Sequence, residues 1–332
     1  MKVETQNARP VKSDVDGITT VGQEALGVLA GLSSDIRWAG EVIDRPGIYA
    51  GLPIGVYHSD CCAGPSISSS GLREIAPPDG CPLKYWDSSY LNPDRAQQEV
   101  KEHFSLGNAV HTLLLGETGF WEKFAVLPEE FPDFKTKAAR EWRDETIAAG
   151  KMVLRREALE QIEGMANRVA NDRTFRDHLD GRVERSIIYQ DRTGVWVKAR
   201  PDCIPDDGYV ADLKTTNDAS DRGCANAVKT YGYHMQMGLI GTALEAVTGR
   251  RVTDHVLLFI EPKRPHAYSI KPLDNQYVWL GKRQNRAALN IFAECIERQF
   301  WPTYYGSGIT ISPSDWLEKQ IDNEPSIPSE AA

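Results

Sequence analysis

The chain has 332 residues, of which 41% are hydrophobic, a length and composition suited to one large or two ordinary globular domains with a substantial core. Its formal net charge of −9 excludes a protein that coats nucleic acid through bulk positive charge, although not an enzyme with a localised basic channel. The six cysteines form no C-x-x-C pair, so free thiols are expected rather than a zinc knuckle or an iron–sulfur cluster.

Both ends of the chain are predicted to lie outside the main domain. Residues 1–45 are mostly polar and are expected to form a flexible arm or a small appendage, and residues 313–332 a solvated tail. The start of the chain has no apolar targeting segment, and no apolar run approaches the roughly 18 to 20 residues that cross a bilayer. We therefore expect a soluble, cytoplasmic protein with one main domain over residues 46–312 and no membrane partner.

The first part of this domain, residues 46–180, is predicted to be helical. Serines in SISSSGLREIA can cap a short helix, and EHFSLGNAVHTLLLGE places apolar residues at helical spacing. RREALEQIEGMANRVAND repeats that spacing. Helices should therefore dominate this part of the chain.

The pattern changes to that of β-strands over residues 181–300. Short runs rich in β-branched and aromatic residues are separated by turn residues: RVERSIIYQ, GVWVKARPD, YVADLKT, DHVLLFIE and HAYSIKPL. Helical segments are predicted over about 219–230, 231–248 and 274–299. Helices that flank a central mixed sheet make an α/β or α+β fold the expected class.

A pair of carboxylates and a lysine form the first candidate site. Side chains alternate along a strand, so Asp212 and Lys214 share one face of the run 209–214. A hairpin-like connection, CIPDDG, would return Asp202 to the side of Asp212. Two converging carboxylates repel each other unless a cation lies between them, and Mg²⁺ or Mn²⁺ matches their oxygen atoms. Such an ion can activate water and stabilise the charge on a phosphodiester, while Lys214 could orient or deprotonate that water.

The Asp-Leu-Lys triplet is a weak signal when taken alone. With 47 acidic and 38 basic residues, about five acidic-x-basic triplets are expected by chance, and charged strand ends facing water are the alternative interpretation. Three other polar residues stand out in the predicted elements: His111, Glu184 and Gln236. Each also has a structural interpretation, namely a hydrogen-bonded core histidine, an exposed strand glutamate and a buried amide.

A basic segment lies between the predicted helices. Residues 134–143, FKTKAAREWR, combine four cations with an aromatic ring: Lys135, Lys137, Arg140, Arg143 and Trp142. Cations neutralise phosphates and an aromatic ring stacks on a frayed base, so this segment is a candidate DNA contact. The solvated face of a helix is the alternative.

Together these motifs resemble the PD-(D/E)XK nuclease superfamily and, within it, the RecE-like exonucleases of the exodeoxyribonuclease VIII type. PGIYAGLPIGVYHSD and PSISSSGLREI are similar to that family's opening segment, LGNAVHTLLLGE to its histidine helix and FKTKAAREWRDE to its basic segment. VKARPDCIPDDGYVADLKTT looks like its catalytic core, and GYHMQMGLI like its Tyr-x-x-Gln helix. The resemblance covers about residues 46–300.

The resemblance implies a role for each residue of the candidate site. It assigns metal ligation, or a position beside the metal, to four groups: His111, Asp202, Asp212 and the backbone carbonyl of Leu213. It assigns positioning or activation of the attacking water to Lys214, completion of the acidic cluster to Glu184, and bracing of the site or of the DNA backbone to Tyr233 and Gln236.

The function implied by the resemblance is Mg²⁺-dependent resection of linear duplex DNA from a 5′ end, with Mn²⁺ as a substitute. The product would be a 3′ single strand for an annealing partner in phage-type recombination, and the enzyme would form a homo-oligomeric ring, a trimer or a tetramer. One alternative is an endonuclease or a nuclease of the CRISPR-adaptation type, against which the missing cysteine cluster counts. Another is a protein that binds DNA ends without cutting, against which the intact Asp202, Asp212 and Lys214 count.

Overall fold

The structure is a computed structural model that describes residues 35–95, 102–115, 119–205, 208–305, 310 and 312. Residues 1–34 of the predicted arm and the predicted tail, 313–332, lie outside the described residues. The helices of the described chain are α1 (Ile54–Tyr57), α2 (Ser69–Ile75), α3 (Pro82–Ser88), α4 (Glu102–Leu114), α5 (Phe120–Lys123), α6 (Lys137–Ala148), α7 (Arg156–Val169), α8 (Arg173–Asp177), α9 (Asp221–Tyr231), α10 (Tyr233–Thr248) and α11 (Asn275–Arg298).

The strands form two mixed sheets and one small parallel pair. They are β1 (Asp35–Arg37), β2 (Gly47–Ala50), β3 (Ser66–Ser68), β4 (Phe124–Val126), β5 (Met152–Leu154), β6 (Arg182–Val183), β7 (Ser186–Gln190), β8 (Trp196–Ala199), β9 (Cys203–Ile204), β10 (Tyr209–Thr215), β11 (Asp254–Ile260) and β12 (Tyr268–Pro272). The first five-stranded sheet has the order β1-β2-β7-β8-β3 and the second the order β12-β11-β10-β9-β6. Strand β10 lies parallel to β11 and antiparallel to β9.

The predicted mixed α/β fold is confirmed, but its strands are divided between two sheets rather than gathered in one. The predicted strand RVERSIIYQ breaks at Glu184, which adopts a left-handed backbone conformation with φ of 55°. As a result β6 pairs with β9 in the second sheet, whereas β7 pairs with β2 and β8 in the first. A non-glycine residue rarely adopts this conformation, and a run of β-branched residues does not reveal it.

The folded part begins before the predicted domain boundary at residue 46. Strand β1 pairs with β2, and Ile43 is buried in a cluster with Tyr49 and Trp196. Residues 35–45 therefore belong to the fold rather than to an arm. About half of the described residues in the predicted helical part are helical, and this part also supplies β2 and β3 to the first sheet and the pair β4 and β5.

Helix α10 connects the two sheets. It contacts β7 and β8 of the first sheet and β10 of the second, and its buried Met237 and Ile240 join one large core with Ile187 and Val210. On the other side of β10, Leu213 packs in a second core with α4 and α7. Burying one such aliphatic side chain contributes roughly 1.5 to 3 kcal/mol, so β10 is held firmly from both faces. In the described residues no helix is both long and apolar enough to cross a bilayer.

The close crossing of α10 and α11 predicts a stability effect at Gly281. A Cβ atom at this position would overlap the backbone carbonyl of His234, so Gly281→Ala should force the two helices apart. We expect a loss of about 1 to 3 kcal/mol in the free energy of unfolding, measured by urea denaturation followed by circular dichroism. Gly55→Ala is the matched control, since no atom lies within 4 Å of its Cβ position. Equal midpoints for both variants would contradict the close crossing.

Candidate active site

The hairpin from β9 to β10 brings Asp202 beside β10. Cys203 pairs with Ala211 across the two antiparallel strands, and the Asp202 carboxylate accepts a hydrogen bond from the backbone N–H of Leu213 at 2.6 Å. Both Asp202 and Asp212 are buried. The structure thus places both predicted carboxylates at β10, where the charge of Asp202 acts on Asp212.

Asp212 is held by two of the predicted partners. The Lys214 ammonium forms an ion pair with Asp212 Oδ2, and the Gln236 amide donates to Asp212 Oδ1 at 3.1 Å. The Lys214 ammonium also lies 4.7 Å from the centroid of the Tyr233 ring, a cation–π contact. Tyr233 and Gln236 come from the first turn of α10, so the start of this helix fixes both the acid and the lysine.

The glycine before α10 sets the position of Tyr233. Gly232 has φ of 65° and stands between α9 and α10, where the chain must change direction within one residue. A Cβ at Gly232 would lie 2.9 Å from the side chain of Arg73. Glycine meets both requirements, because it adopts positive φ without strain and leaves room for Arg73.

His111 reaches the site from α4. Its Nδ1 lies 3.0 Å from Asp202 Oδ1, and its neighbour Val110 is buried in the core that α4 shares with Leu213. Helical packing thus aims the imidazole at Asp202 from the side of β10 opposite to α10. The structure brings together six of the candidate residues, whose roles in metal binding and catalysis remain predictions: His111, Asp202, Asp212, Lys214, Tyr233 and Gln236.

The two carboxylates have opposite electrostatic environments. Burial, together with repulsion from Asp202, raises the pKa of Asp212 to about 6. Burial acts to raise the pKa of Asp202 as well, but the adjacent His111 imidazole brings that pKa below its usual value. Burial acts to lower the pKa of His111, and the Asp202 carboxylate outweighs it and raises that pKa. Such opposed shifts within one buried cluster are typical of functional sites.

The donor atoms fit a divalent cation. Apart from its ion-pair contact with Lys214, the buried Asp212 Oδ2 receives no hydrogen bond from the described residues, which leaves lone pairs for a metal. Two carboxylates suit Mg²⁺ or Mn²⁺, and an imidazole nearby is compatible with Mn²⁺. The described residues contain no group of three His, Cys, Asp or Glu side chains already gathered at metal-binding spacing. Of the predicted ligands, the side chains of His111, Asp202 and Asp212 would hold such an ion.

Two predicted members of the site, Glu184 and the Leu213 carbonyl, have roles that the contacts described above do not establish. Glu184 lies in the turn between β6 and β7, not on a strand, because its left-handed conformation ends β6. Its carboxylate forms an ion pair with Arg200 at 2.9 Å, and its N–H donates to the Asp202 carbonyl at 3.1 Å. The role of Glu184 in the acidic cluster and that of the Leu213 carbonyl as a ligand remain predictions.

The predicted basic DNA contact lies at the start of α6 and just before it. Acidic neighbours accompany three of its cations: Lys135 pairs with Asp133 at 2.8 Å, Lys137 with Glu141 at 3.4 Å and Arg143 with Asp144 at 2.8 Å. Arg140 donates to the Lys135 carbonyl at 2.9 Å, and Trp142 is half-buried. Nearby carboxylates reduce the positive potential here, and a DNA contact through this segment remains a prediction.

Arg73 is a neighbour of the site that sequence reasoning missed. Its guanidinium contacts the Tyr231 carbonyl, and it lies within the electrostatic reach of Tyr233 and Asp212. Burial lowers the pKa of Arg73. The local sequence SGLREI does not predict the contact between Arg73 and the Tyr231 carbonyl, because that contact depends on the turn between α9 and α10, which is distant in sequence.

A mixed sheet with two buried aspartates and a lysine at one strand end defines a PD-(D/E)XK nuclease-like domain. The chain belongs to the family described as PDDEXK-like domain of unknown function (DUF3799), whose model matches residues 68–310. A search of curated proteins finds none that matches the sequence.

The comparison with solved structures supports the same fold. A crystal structure from Eubacterium rectale, described as "Putative exonuclease", aligns with a TM-score of 0.55 and 12% identity over 80% of this chain and 94% of that one. At this identity the likeness shows the fold alone. A structure described as SSO0001 aligns with a TM-score of 0.23 and 17% identity over 58% of this chain and 88% of that one, and it carries no argument.

Metal binding at the two carboxylates should stabilise the folded protein. A ligand that binds only the folded state at about 100 times its Kd adds roughly 2.7 kcal/mol, which corresponds to a rise of a few degrees in Tm. We expect Mn²⁺ to raise the Tm of the wild type in a thermal-shift measurement, and EDTA to reverse the rise. Asp212→Asn should remove it, whereas Asp221→Asn, which changes an exposed aspartate on α9, should not. Equal shifts in both variants would place the metal elsewhere.

Proposed function

We propose that this chain is a metal-dependent exodeoxyribonuclease that degrades linear double-stranded DNA 5′ to 3′ and leaves 3′ single-stranded overhangs, in the manner of the RecE-like enzymes it resembles. The observation that carries the proposal is the convergence of Asp202, Asp212 and Lys214 at the hairpin of β9 and β10. A protein that only binds DNA gains nothing from a repulsive pair of buried carboxylates. Phosphodiester hydrolysis uses such a pair to hold a cation.

The side chains of the site divide the work of hydrolysis. His111, Asp202, Asp212 and the Leu213 carbonyl would hold Mg²⁺ or Mn²⁺, which when bound would lower the pKa of a water and offset charge on the phosphodiester. Gln236 orients the Asp212 carboxylate through its amide, and His111 orients Asp202. Lys214, placed by the Tyr233 ring, would position or activate the attacking water.

The assembly and partners belong to the same proposal. From the resemblance we infer a ring of three or four copies around the DNA, a single-strand annealing protein that receives the 3′ strand, and a role in phage-type recombination in the cytoplasm. A ring would reconcile the net charge of −9 with a basic inner surface. Native mass spectrometry at several protein concentrations should give a trimer or a tetramer, and a monomer throughout would contradict the ring.

Digestion of end-labelled DNA tests the activity. Linear duplex should lose its 5′ label with Mg²⁺ but not with EDTA, and a covalently closed circle should stay intact. Asp212→Asn should lower the rate at least about a hundredfold, because the charge on the phosphodiester is no longer stabilised, while Asp221→Asn should match the wild type.

Two outcomes would point to the alternatives. Nicking of the closed circle would favour an endonuclease. Binding of DNA ends without any cleavage would mean that the fold serves as an end-binding protein.

Lys214→Met should separate water positioning from metal binding. Methionine has a similar length and no ammonium, so the cleavage rate should fall by about 10² to 10⁴, as is typical when a group that handles the reacting water is lost. The rise in Tm caused by Mn²⁺ should persist. Lys271→Met, a change at a partly exposed lysine on β12, serves as control. An unchanged cleavage rate in Lys214→Met would refute the role of Lys214.

A further inference from the structure

A cleft of about 1400 Å³ opens at the start of α10, the helix that carries Tyr233 and Gln236. It is lined by α2, α3, the end of α9 and the start of α10, with Lys198 of β8 among its lining residues. Its volume exceeds the roughly 300 to 1,000 Å³ that is usual for sites of drug-sized molecules, so it suits a larger ligand. Arg73 and Gly232 line the cleft; Gly232 directly precedes Tyr233, and Arg73 lies within the electrostatic reach of Tyr233 and Asp212, which links the cleft to the site.

The charge of the cleft opposes that of the whole protein. Its lining contains five basic residues, Arg73, Lys84, Arg95, Lys198 and Lys229, against the acidic Glu74 and Asp79. In the described part of the chain, none of these five cations lies within 4.0 Å of a carboxylate. In a chain with 47 acidic and 38 basic residues, a concave surface with this excess of cations attracts an anionic ligand.

Lys198 is the buried cation of this cleft. The residue is only 2% exposed, and its ammonium donates to the Ser59 carbonyl at 3.2 Å. The rings of Tyr57 and Tyr90 lie 5.5 and 5.4 Å from it. A buried ammonium is unfavourable and burial lowers the pKa of Lys198, while the Cys61 Sγ lies 4.0 Å from the ammonium. A phosphate in the cleft would add a full negative charge beside this ammonium.

Arg73 carries a hydrogen-bond donor without an acceptor in the described chain. Its Nε is buried and has no hydrogen-bond partner among the described residues. A buried donor without a partner carries a desolvation cost that a bound anion would remove. The half-buried Arg73 and the buried Lys198 thus line the same cleft from two different elements, α2 and β8.

Exposed aromatic rings in the cleft favour an unpaired strand over a duplex. Tyr231 is 58% exposed and Tyr304 is 51% exposed, and both line the cleft. Exposed tyrosines stack on the faces of unpaired bases, whereas the bases of a duplex already cover each other. The combination of cations and exposed rings is that of a single-strand groove.

We propose that this cleft binds an unpaired DNA strand, with Lys198 and Arg73 contacting its backbone phosphates and Tyr231 and Tyr304 stacking on its bases. The proposal rests on the nuclease function proposed above and adds to it a strand-separation step. Because the cleft reaches the start of α10, whose Tyr233 and Gln236 contact Lys214 and Asp212, the bound strand is the one that is cut. The duplex end must then open before its phosphodiester reaches the carboxylates.

The test is a binding measurement that needs neither metal nor cleavage. A fluorescein-labelled single-stranded oligonucleotide is titrated with the Asp212→Asn protein in EDTA at several salt concentrations, and its anisotropy is followed. In this background Lys198→Met should weaken binding by about tenfold or more, because a charge-assisted contact is lost. Changing the exposed Lys84 and Lys229 together to Ala should reduce the salt slope of log K by about 1.4, the value for two phosphate contacts on a single strand.

The matched control changes two exposed arginines outside the cleft. The double variant Arg173→Ala with Arg298→Ala should leave both the affinity and the salt slope unchanged. Circular dichroism checks that each variant is folded. The Lys84 and Lys229 pair, being exposed, keeps the test valid if Lys198→Met does not fold.

Three results would overturn the proposal. The first is unchanged affinity and salt slope in the cleft variants. The second is a blunt duplex that outcompetes the single strand. The third is displacement of the strand by a mononucleotide together with a requirement for a 5′-phosphate, which would make the cleft a pocket for a terminal phosphate. If the wild type cleaves linear DNA but the cleft variants bind the single strand unchanged, the single-strand site is refuted and the nuclease function stands. If binding depends on the cleft but the wild type does not cleave DNA with Mg²⁺, the nuclease function is refuted and the single-strand site stands.

Discussion

The repulsion between two buried carboxylates, Asp202 and Asp212, is the constraint on which the rest of the site depends. The fold holds Asp202 through the Leu213 N–H and Asp212 through the Gln236 amide, so neither side chain can turn away to relieve the repulsion. The neighbouring cations, Lys214 and His111, compensate part of it. A divalent ion held by these carboxylates would compensate the repulsion more fully.

The architecture around β10 explains how this cost is tolerated. Val210 faces the core shared with α10, while Leu213 faces the core shared with α4 and α7. Packing from both sides holds the strand in one position, and the two helices deliver Gln236 and His111 to its two sides. The apolar cores thus provide the rigidity that keeps charged groups close together.

Local patterns predicted much of this site, and long-range contacts account for what they missed. Alternation along the strand placed Asp212 beside Lys214, and the short hairpin returned Asp202, because both effects act over a few residues. The break at Glu184 escaped prediction, since nothing in a β-branched run announces a left-handed residue. Arg73 and Lys198 escaped as well, because the cleft joins elements that are far apart in sequence.

For the basic segment, residues 134–143, the sequence contained information that the prediction did not use, namely the acidic residues near its cations. Glu141 stands four residues after Lys137, and Asp133 and Asp144 flank Lys135 and Arg143, so partial charge compensation was readable from the spacing. Cations that form no ion pair within the described residues, such as those of the cleft, are better candidates for phosphate contacts. This distinction depends on three-dimensional neighbours as much as on composition.

The central claim is that Asp202 and Asp212 together bind a divalent cation. X-ray diffraction from crystals soaked in Mn²⁺, recorded where manganese scatters anomalously, tests it most directly. The account predicts an anomalous peak between the two carboxylates in the wild type and none in Asp212→Asn. A wild-type crystal without a peak there, from protein that cleaves DNA with Mn²⁺, would contradict it.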